Sequence, residues 1–402
     1  MKKIIALVLA VAMVATLFCS CGSTIGDAEG YSVEIKDGKI NIGFIAPLTG
    51  STAVYGKAVE HAVDLAVKEI NKDNSILKGY TLTLTKQDDQ GDATVGTSAF
   101  NKVMNKDIAA LIGPVTTGVT AAVTSLANEN GIVMITPTAT GDSVTTKSDY
   151  VFRSCFKDSS QGTIAAKYAQ KLGYKEVSVL YAQGDAYSTG LRDAFVKECK
   201  KLGINVAVEM TSPTISDETT FSSQLSQIVG KIGNDGFIFA PYYYDAAGPM
   251  IIPEARAQGF KGVIMGTDGY DGMVPDYVTG DLSVYNNVLF TNHYSAESTD
   301  EKVQNFVSAY TAANNETPNA FAALAYDATY MLAQSLEKVL KKTPNTVSGD
   351  DLKKVMDGMK FNGVTGNFTL DKTGTPDKSA VILSYAYDEA TKKVVSKYVE
   401  TF

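Results

Sequence analysis

The chain has no tryptophan, two histidines and four cysteines among 402 residues. His61 lies beside Glu60 inside an amphipathic stretch and His293 stands far from it, so sequence neighbours supply no imidazole-based constellation. GxSxG, HExxH and P-loop patterns are absent, which removes the nucleophile elbow, the zinc-protease helix and the phosphate cradle. No GxGxxG fingerprint opens an α/β stretch, so no dinucleotide cofactor is implied. Cys155 and Cys199 have no CxxC-type metal spacing, and they read as buried free thiols or, in an oxidising compartment, a bridge. These absences argue against an enzyme, a metal site and a bound cofactor. The 36 basic residues are outnumbered by 44 acidic ones and are thinly spread, giving a net charge of -8 and excluding nucleic acid as a partner.

What is present begins with Lys2 and Lys3 and an uncharged apolar run from Ile4 to Phe18. That run is shorter than the about 20 residues a membrane-spanning helix needs, and it reads as a signal peptide over residues 1–20. The following Leu17-Phe18-Cys19-Ser20-Cys21-Gly22 resembles the lipobox of bacterial lipoproteins, with Cys21 after small Ser20 as the acylated residue. Phe18 departs from the aliphatic residue usual three places earlier. Small polar residues from Gly22 to Gly30 suit a flexible tether, assigned to residues 21–38, holding a soluble body at the outer face of the membrane.

Hydrophobic residues at 45% and charged residues at 20% describe a globular body large enough for two domains. Lys39 to Ile45 reads as a strand, and Val59, Ala62, Val63, Ala66, Val67 and Ile70 recur at helical spacing after it. Strands at 81–86, 109–112 and 132–136 alternate with helices at 94–104 and 119–129. After Phe156 the alternation restarts, with strands at 177–181, 204–209, 236–240 and 262–266 among helices at 160–172, 191–202, 221–231 and 246–258. Such alternation implies an α/β fold with parallel sheets covered on both faces. Helices at 300–314, 321–342 and 350–359, a Gly-rich strand at 363–370 and a hairpin over 380–398 complete the chain.

Five stretches together resemble the branched-chain amino acid (Leu/Ile/Val) type of periplasmic-binding protein. They are Asn41 to Gly50 with Tyr55-Gly56; Asp88-Asp89; Leu111 to Pro114 with Thr116-Thr117; Ile135 to Thr140; and Asp185 to Gly190 with Met265 to Gly269. The resemblance implies two Rossmann-like lobes of the type 1 periplasmic-binding fold, at 39–155 plus 292–362 and at 156–291 plus 363–402. Three hinge crossings are expected near Cys155-Phe156, Leu289-Asn292 and Phe361-Gly366. It also implies that some members' disulfide is missing, since Thr116 and Asp88 stand about where that pair falls, and that Thr138 replaces a usually small residue.

A free amino acid carries a carboxylate and an ammonium that must both be paired once out of water. Thr117, just before a helix, and Thr140 suit the carboxylate, though both also fit as an N-cap and a turn threonine. Asp268, after an apolar strand and beside Gly269, suits the ammonium, though Asp-Gly is also an ordinary turn pairing. The resemblance favours the binding roles, adds the Thr138 carbonyl as a second ammonium partner, and places Tyr55, Tyr187, Tyr242 and, more loosely, Phe321 on the pocket wall. Tyr243 and Tyr244 read as packing residues, and Asp245 as a solvated helix-start acid. The function implied is that of a monomeric, lipid-anchored binding component delivering a neutral amino acid to an ABC permease. A ligand sensor, or a binder of small amides or urea, is the alternative on the same fold.

Overall fold

The computed structural model describes residues 30–73, 75–213, 220–273, 277–278 and 280–402. The signal peptide and Cys21 lie outside the described residues. The chain opens with β1 (Ser32–Glu34), followed by β2 (Lys39–Ala46), β3 (Thr81–Asp88), β4 (Ala110–Ile112), β5 (Met134–Thr136) and β6 (Val151–Arg153). Strands β3-β2-β4-β5-β6 form one sheet in that order, every pair parallel. Helices Ala53–Asp73, Ala93–Met104 and Thr117–Glu129 make the crossovers between its strands. Ile40, Ile42, Phe44, Leu111, Ile112 and Ile135 are almost wholly hidden, as strands covered on both faces require.

The second sheet takes β7 (Glu176–Ala182), β8 (Asn205–Ser212), β9 (Phe237–Phe239), β10 (Val263–Gly266) and β11 (Val288–Asn292), parallel in the order β8-β7-β9-β10-β11. Helices Asp158–Lys171, Ala186–Leu202 and Ser222–Ile232 accompany it. The chain then returns to the first sheet. Helix Ala320–Lys342 packs against helix Ala53–Asp73 and touches β4 and β5. Next come β12 (Thr346–Ser348), which pairs with β1, and a hairpin of β13 (Lys360–Gly363) and β14 (Gly366–Thr369). Finally β15 (Val381–Asp388) and β16 (Lys393–Thr401) add to β11 as antiparallel strands and complete a seven-stranded sheet.

Several expectations need adjusting. The spacer expected over residues 21–38 is folded from Tyr31 onward, because Val33 and Ile35 are buried and β1 is paired along its length with β12. Leu289–Asn292, expected as a hinge crossing, lies within the second sheet, paired with β15 throughout and with β10 as far as Phe290, so the chain leaves that sheet after Asn292. Phe361–Gly366, also expected as a crossing, is most of β13 and the turn into β14. Asp327, on helix Ala320–Lys342, holds that turn by accepting Val364 N–H at 2.7 Å and Thr365 N–H at 2.8 Å. The Gly-rich strand expected at 363–370 is therefore the turn and second strand of a hairpin.

Candidate functional site

The C-terminal ends of the strands in the two sheets carry loops that converge, as ligand sites in open α/β sheets do. On the first sheet's side, Thr117 is the first residue of helix Thr117–Glu129, whose N-cap Thr116 makes no side-chain capping bond. First-turn N–H groups of a helix lack intrahelical acceptors and, with the helix dipole, favour an anion. The Thr117 hydroxyl accepts the Gly141 N–H at 3.1 Å, leaving its own proton to donate. Thr138 donates to the Val115 carbonyl at 2.7 Å, which fixes its side chain. The loop carrying Thr138 and Thr140 is held from behind by Arg153, at the end of β6. Its buried guanidinium donates to the carbonyls of Ala139, Thr140 and Gly141 at 3.2, 2.9 and 3.0 Å.

Tyr55 comes from the first helix and stacks face to face on Phe321 at 4.1 Å. Its loop is tied down by Asp88, which accepts from the N–H groups of Leu48 and Thr49 and from the Thr49 hydroxyl. From the opposite side, Tyr55 O–H reaches the Gly269 carbonyl at 2.5 Å, and Tyr244 O–H reaches the Ser51 carbonyl at 2.6 Å. Loops of the two sheets are thus hydrogen-bonded across the cleft. Burial pushes the Tyr55 hydroxyl well above its ordinary range, so it stays a donor. Tyr55→Phe removes this bond and should weaken ligand binding about two- to tenfold with little change in melting temperature, as titration calorimetry and thermal melting can check.

Asp268 follows β10 and is 2% exposed. Its Oδ1 accepts from Gln161 Nε2 and from Tyr187 O–H, both at 2.9 Å, and its Oδ2 lies 3.1 Å from His293 Nε2. His293 stacks on Phe156 at 3.7 Å, and desolvation in this setting lowers its pKa despite the opposing pull of Asp268. Gly269 leaves no room for a side chain: a Cβ there would stand 2.6 Å from the Tyr187 oxygen and 2.7 Å from the Tyr242 carbonyl. Its N–H donates to the Tyr187 hydroxyl at 2.9 Å.

Tyr55, Thr117, Thr138, Thr140, Tyr187, Asp268, Gly269 and Phe321 all line one cavity, together with Val115, Thr116 and Tyr243. Tyr242 is not on its wall. The segment after β9 is extended at Tyr243, so successive side chains point to opposite sides. Tyr242 turns into the core beside Phe221, its hydroxyl 2.9 Å from Ser212 Oγ, while Tyr243 stacks on Tyr187 at the cavity. Tyr244 packs edge-on against Tyr55, as expected of a packing residue. Asp245 is less solvated than expected, and burial pushes its carboxyl up to about 6. Cys155 and Cys199 are separate buried thiols, both pushed up to about 12 by burial. A wider groove lined by Thr145, Asp149, Lys353 and Asp371 lies away from this convergence.

Residues 39–390 match the periplasmic binding protein family. The chain belongs to that family. A Leu/Ile/Val-binding protein homologue of Brucella melitensis is 31% identical over 88% of this chain and 91% of its own length. The branched-chain amino acid transporter substrate-binding protein LivJ of Streptococcus pneumoniae, solved with isoleucine, superposes with a TM-score of 0.78 at 29% identity, covering 90% of this chain and 99% of LivJ. A solute-binding protein of Rhodopseudomonas palustris holding 4-hydroxybenzoate superposes with a TM-score of 0.80 over 90% of this chain and 97% of its own, at 18% identity, and shares the fold. The type 1 periplasmic-binding fold, with its parallel-rich sheets, is therefore the fold of this chain. It is a solute-binding architecture of extracytoplasmic proteins.

Proposed function

We propose that this chain is the substrate-binding component of an ABC importer and captures a neutral, branched-chain amino acid in the cleft between its two sheets. The observation that carries the reading is the polarity of the cavity. One wall offers Thr117, Thr138 and Thr140 around a helix N-terminus, and the facing wall offers the carboxylate of Asp268. A carboxylate and an ammonium on adjacent atoms match these two poles, while Tyr55, Phe321, Tyr187 and Tyr243 supply apolar faces for an aliphatic side chain. The names of the Brucella and Streptococcus relatives support the same ligand class.

In this reading the lobes built on the two sheets close by hinge rotation, and a ligand touching both favours the closed state by its differential affinity. A permease would read the outer surfaces of that state. The anchor is the lipid on Cys21, and the protein works as a monomer at the outer face of the membrane. Binding requires no chemical step.

Thermal melting of the purified protein with leucine, isoleucine, valine and 4-hydroxybenzoate tests this. Amino acids at a hundredfold excess over the dissociation constant add about 2.7 kcal/mol of stability and raise the melting temperature. A rise with 4-hydroxybenzoate alone would overturn the zwitterion reading.

A further inference from the structure

Two of the aromatic cavity residues sit in the first turns of helices that pack on the first sheet's side. Tyr55 is the third residue of helix Ala53–Asp73 and Phe321 the second of helix Ala320–Lys342, and their rings stack at 4.1 Å. A helix start carries backbone N–H groups that the helix itself does not satisfy. In the first helix, Ala53 and Tyr55 donate to the Gly50 and Thr52 carbonyls at 3.3 and 3.1 Å. The Val54 N–H between them goes to the Tyr244 hydroxyl at 3.1 Å. In the second helix, the Asn319 side chain accepts the Ala322 N–H at 3.0 Å, and the Ala320 N–H goes to Asp271 Oδ2 at 2.7 Å. Tyr244 follows β9 and Asp271 follows β10, so both acceptors come from the second sheet, across the cleft.

Both acceptors are held in place by further bonds. The Tyr244 hydroxyl, while accepting from Val54, donates its proton to the Ser51 carbonyl at 2.6 Å, so the phenol is used in both directions within one loop of the first sheet. Asp271 Oδ2 also accepts from Asn292 Nδ2 at 2.7 Å, at the residue where the chain leaves the second sheet. A carboxylate at a helix N-terminus gains from the helix dipole as well as from the hydrogen bond. The next residue, Gly272, has a φ of +94°, and a Cβ there would stand 3.1 Å from Val54 Cγ1 and 3.2 Å from Asn319 Nδ2. The turn therefore lies against both helix starts at once. The same turn carries Asp268, whose carbonyl accepts the Asp271 N–H at 2.9 Å.

Neither Tyr244 nor Asp271 lines the cavity. We propose that Tyr244 and Asp271 are positioning residues that cap the starts of helices Ala53–Asp73 and Ala320–Lys342 in the closed cleft, so that closure itself fixes the Tyr55–Phe321 stack over the ligand. This rests on the closing cleft of the reading above. When the lobes part, the Val54 and Ala320 N–H groups pass to water, and the two bonds count only towards the closed state. Observed affinity is the affinity of the closed site multiplied by the ease of closing. A contact that touches the closing step and not the ligand therefore scales the affinity of every ligand by one factor and leaves selectivity alone. It also acts on escape: the bonds must break before the ligand leaves, whereas they form after it has entered, so they slow dissociation and leave association unchanged.

The test is calorimetric titration of leucine, isoleucine, valine and 4-hydroxybenzoate into purified wild type, Tyr244→Phe and Asp271→Ala, with stopped-flow tyrosine fluorescence for the rates. Affinity should fall by one common factor for every ligand bound, about three- to tenfold in Tyr244→Phe and about tenfold or more in Asp271→Ala. The loss should lie in faster dissociation, with association within about twofold of wild type. An unchanged affinity in either folded variant, a shifted leucine-to-valine ratio, or a loss carried by slower association overturns the capping. Where wild type binds amino acids, any of these results leaves the ligand class standing. A wild type that binds 4-hydroxybenzoate alone overturns the ligand class, and the variants' titrations with that acid then decide the capping by affinity and rates. A wild type that binds none of the four overturns both. Should Asp271→Ala fail to fold, Tyr244→Phe, which keeps the ring packed on Tyr55, decides alone.

Discussion

Asp268→Asn is expected to bind branched-chain amino acids about 30- to 1,000-fold more weakly than wild type, measured by titration calorimetry, while remaining folded. The buried carboxylate sits on the wall facing the threonines and is oriented by Gln161, Tyr187 and His293 at 2.9–3.1 Å. An amide of the same shape keeps an oxygen for one or two of these partners but loses the negative charge. Removing one member of a buried, hydrogen-bonded charge pair costs about 2–4 kcal/mol, and each 1.4 kcal/mol is tenfold in affinity. Far-ultraviolet circular dichroism would show the fold retained, since no strand or helix depends on Asp268 for its backbone bonds. Affinity within threefold of wild type would remove Asp268 from the ammonium site.

Arg153→Met should lower the unfolding free energy by about 3–5 kcal/mol and weaken ligand binding as well. The guanidinium is completely hidden and makes five hydrogen bonds, three to consecutive carbonyls of the Ala139–Gly141 loop and two to threonine hydroxyls. Methionine fills much of the volume and donates nothing. Each buried carbonyl left without a donor costs about 1–3 kcal/mol before relaxation, and breaking a buried charged network falls in the same range. The loop so loosened carries the cavity residue Thr140, so stability and affinity fall together. Urea midpoints and titration calorimetry check the two effects, and a variant as stable as wild type would show the loop to be held by other contacts.

The sheets were largely legible because parallel strands read as short apolar runs between amphipathic helices, and Asn41 to Ile45 or Val177 to Tyr181 carry that signal plainly. Strand β6 was not, since Val151-Phe152-Arg153 is three residues long and ends on a charge. Strand β11, where the resemblance implies a crossing, is apolar at Val288-Leu289-Phe290, but its neighbour β15 lies almost a hundred residues later and leaves no local mark. At the site, eight of the nine expected residues line the cavity, and Tyr242 gives way there to its neighbour Tyr243. In an extended segment a shift of one residue reverses the side facing the cavity, which is why Tyr243 and not Tyr242 stands there. Gln161 and Arg153 escaped because each is a polar residue at the start of a helix or the end of a strand, where solvent exposure is the ordinary expectation. Only the fold that buries them gives them a role.

The hairpin of β15 and β16 also sets the order in which the molecule can assemble. The first sheet uses a continuous stretch from Lys39 to Arg153, so its strands can pair while the rest of the chain is still arriving. The second sheet cannot close until the final residues are available, because β11 has no neighbour on one edge before β15 reaches it. Until then Val288, Phe290 and Thr291, wholly hidden in the finished protein, belong to an open edge of the kind that recruits strands from other chains. A polypeptide lacking β15 and β16 is therefore a species prone to self-association.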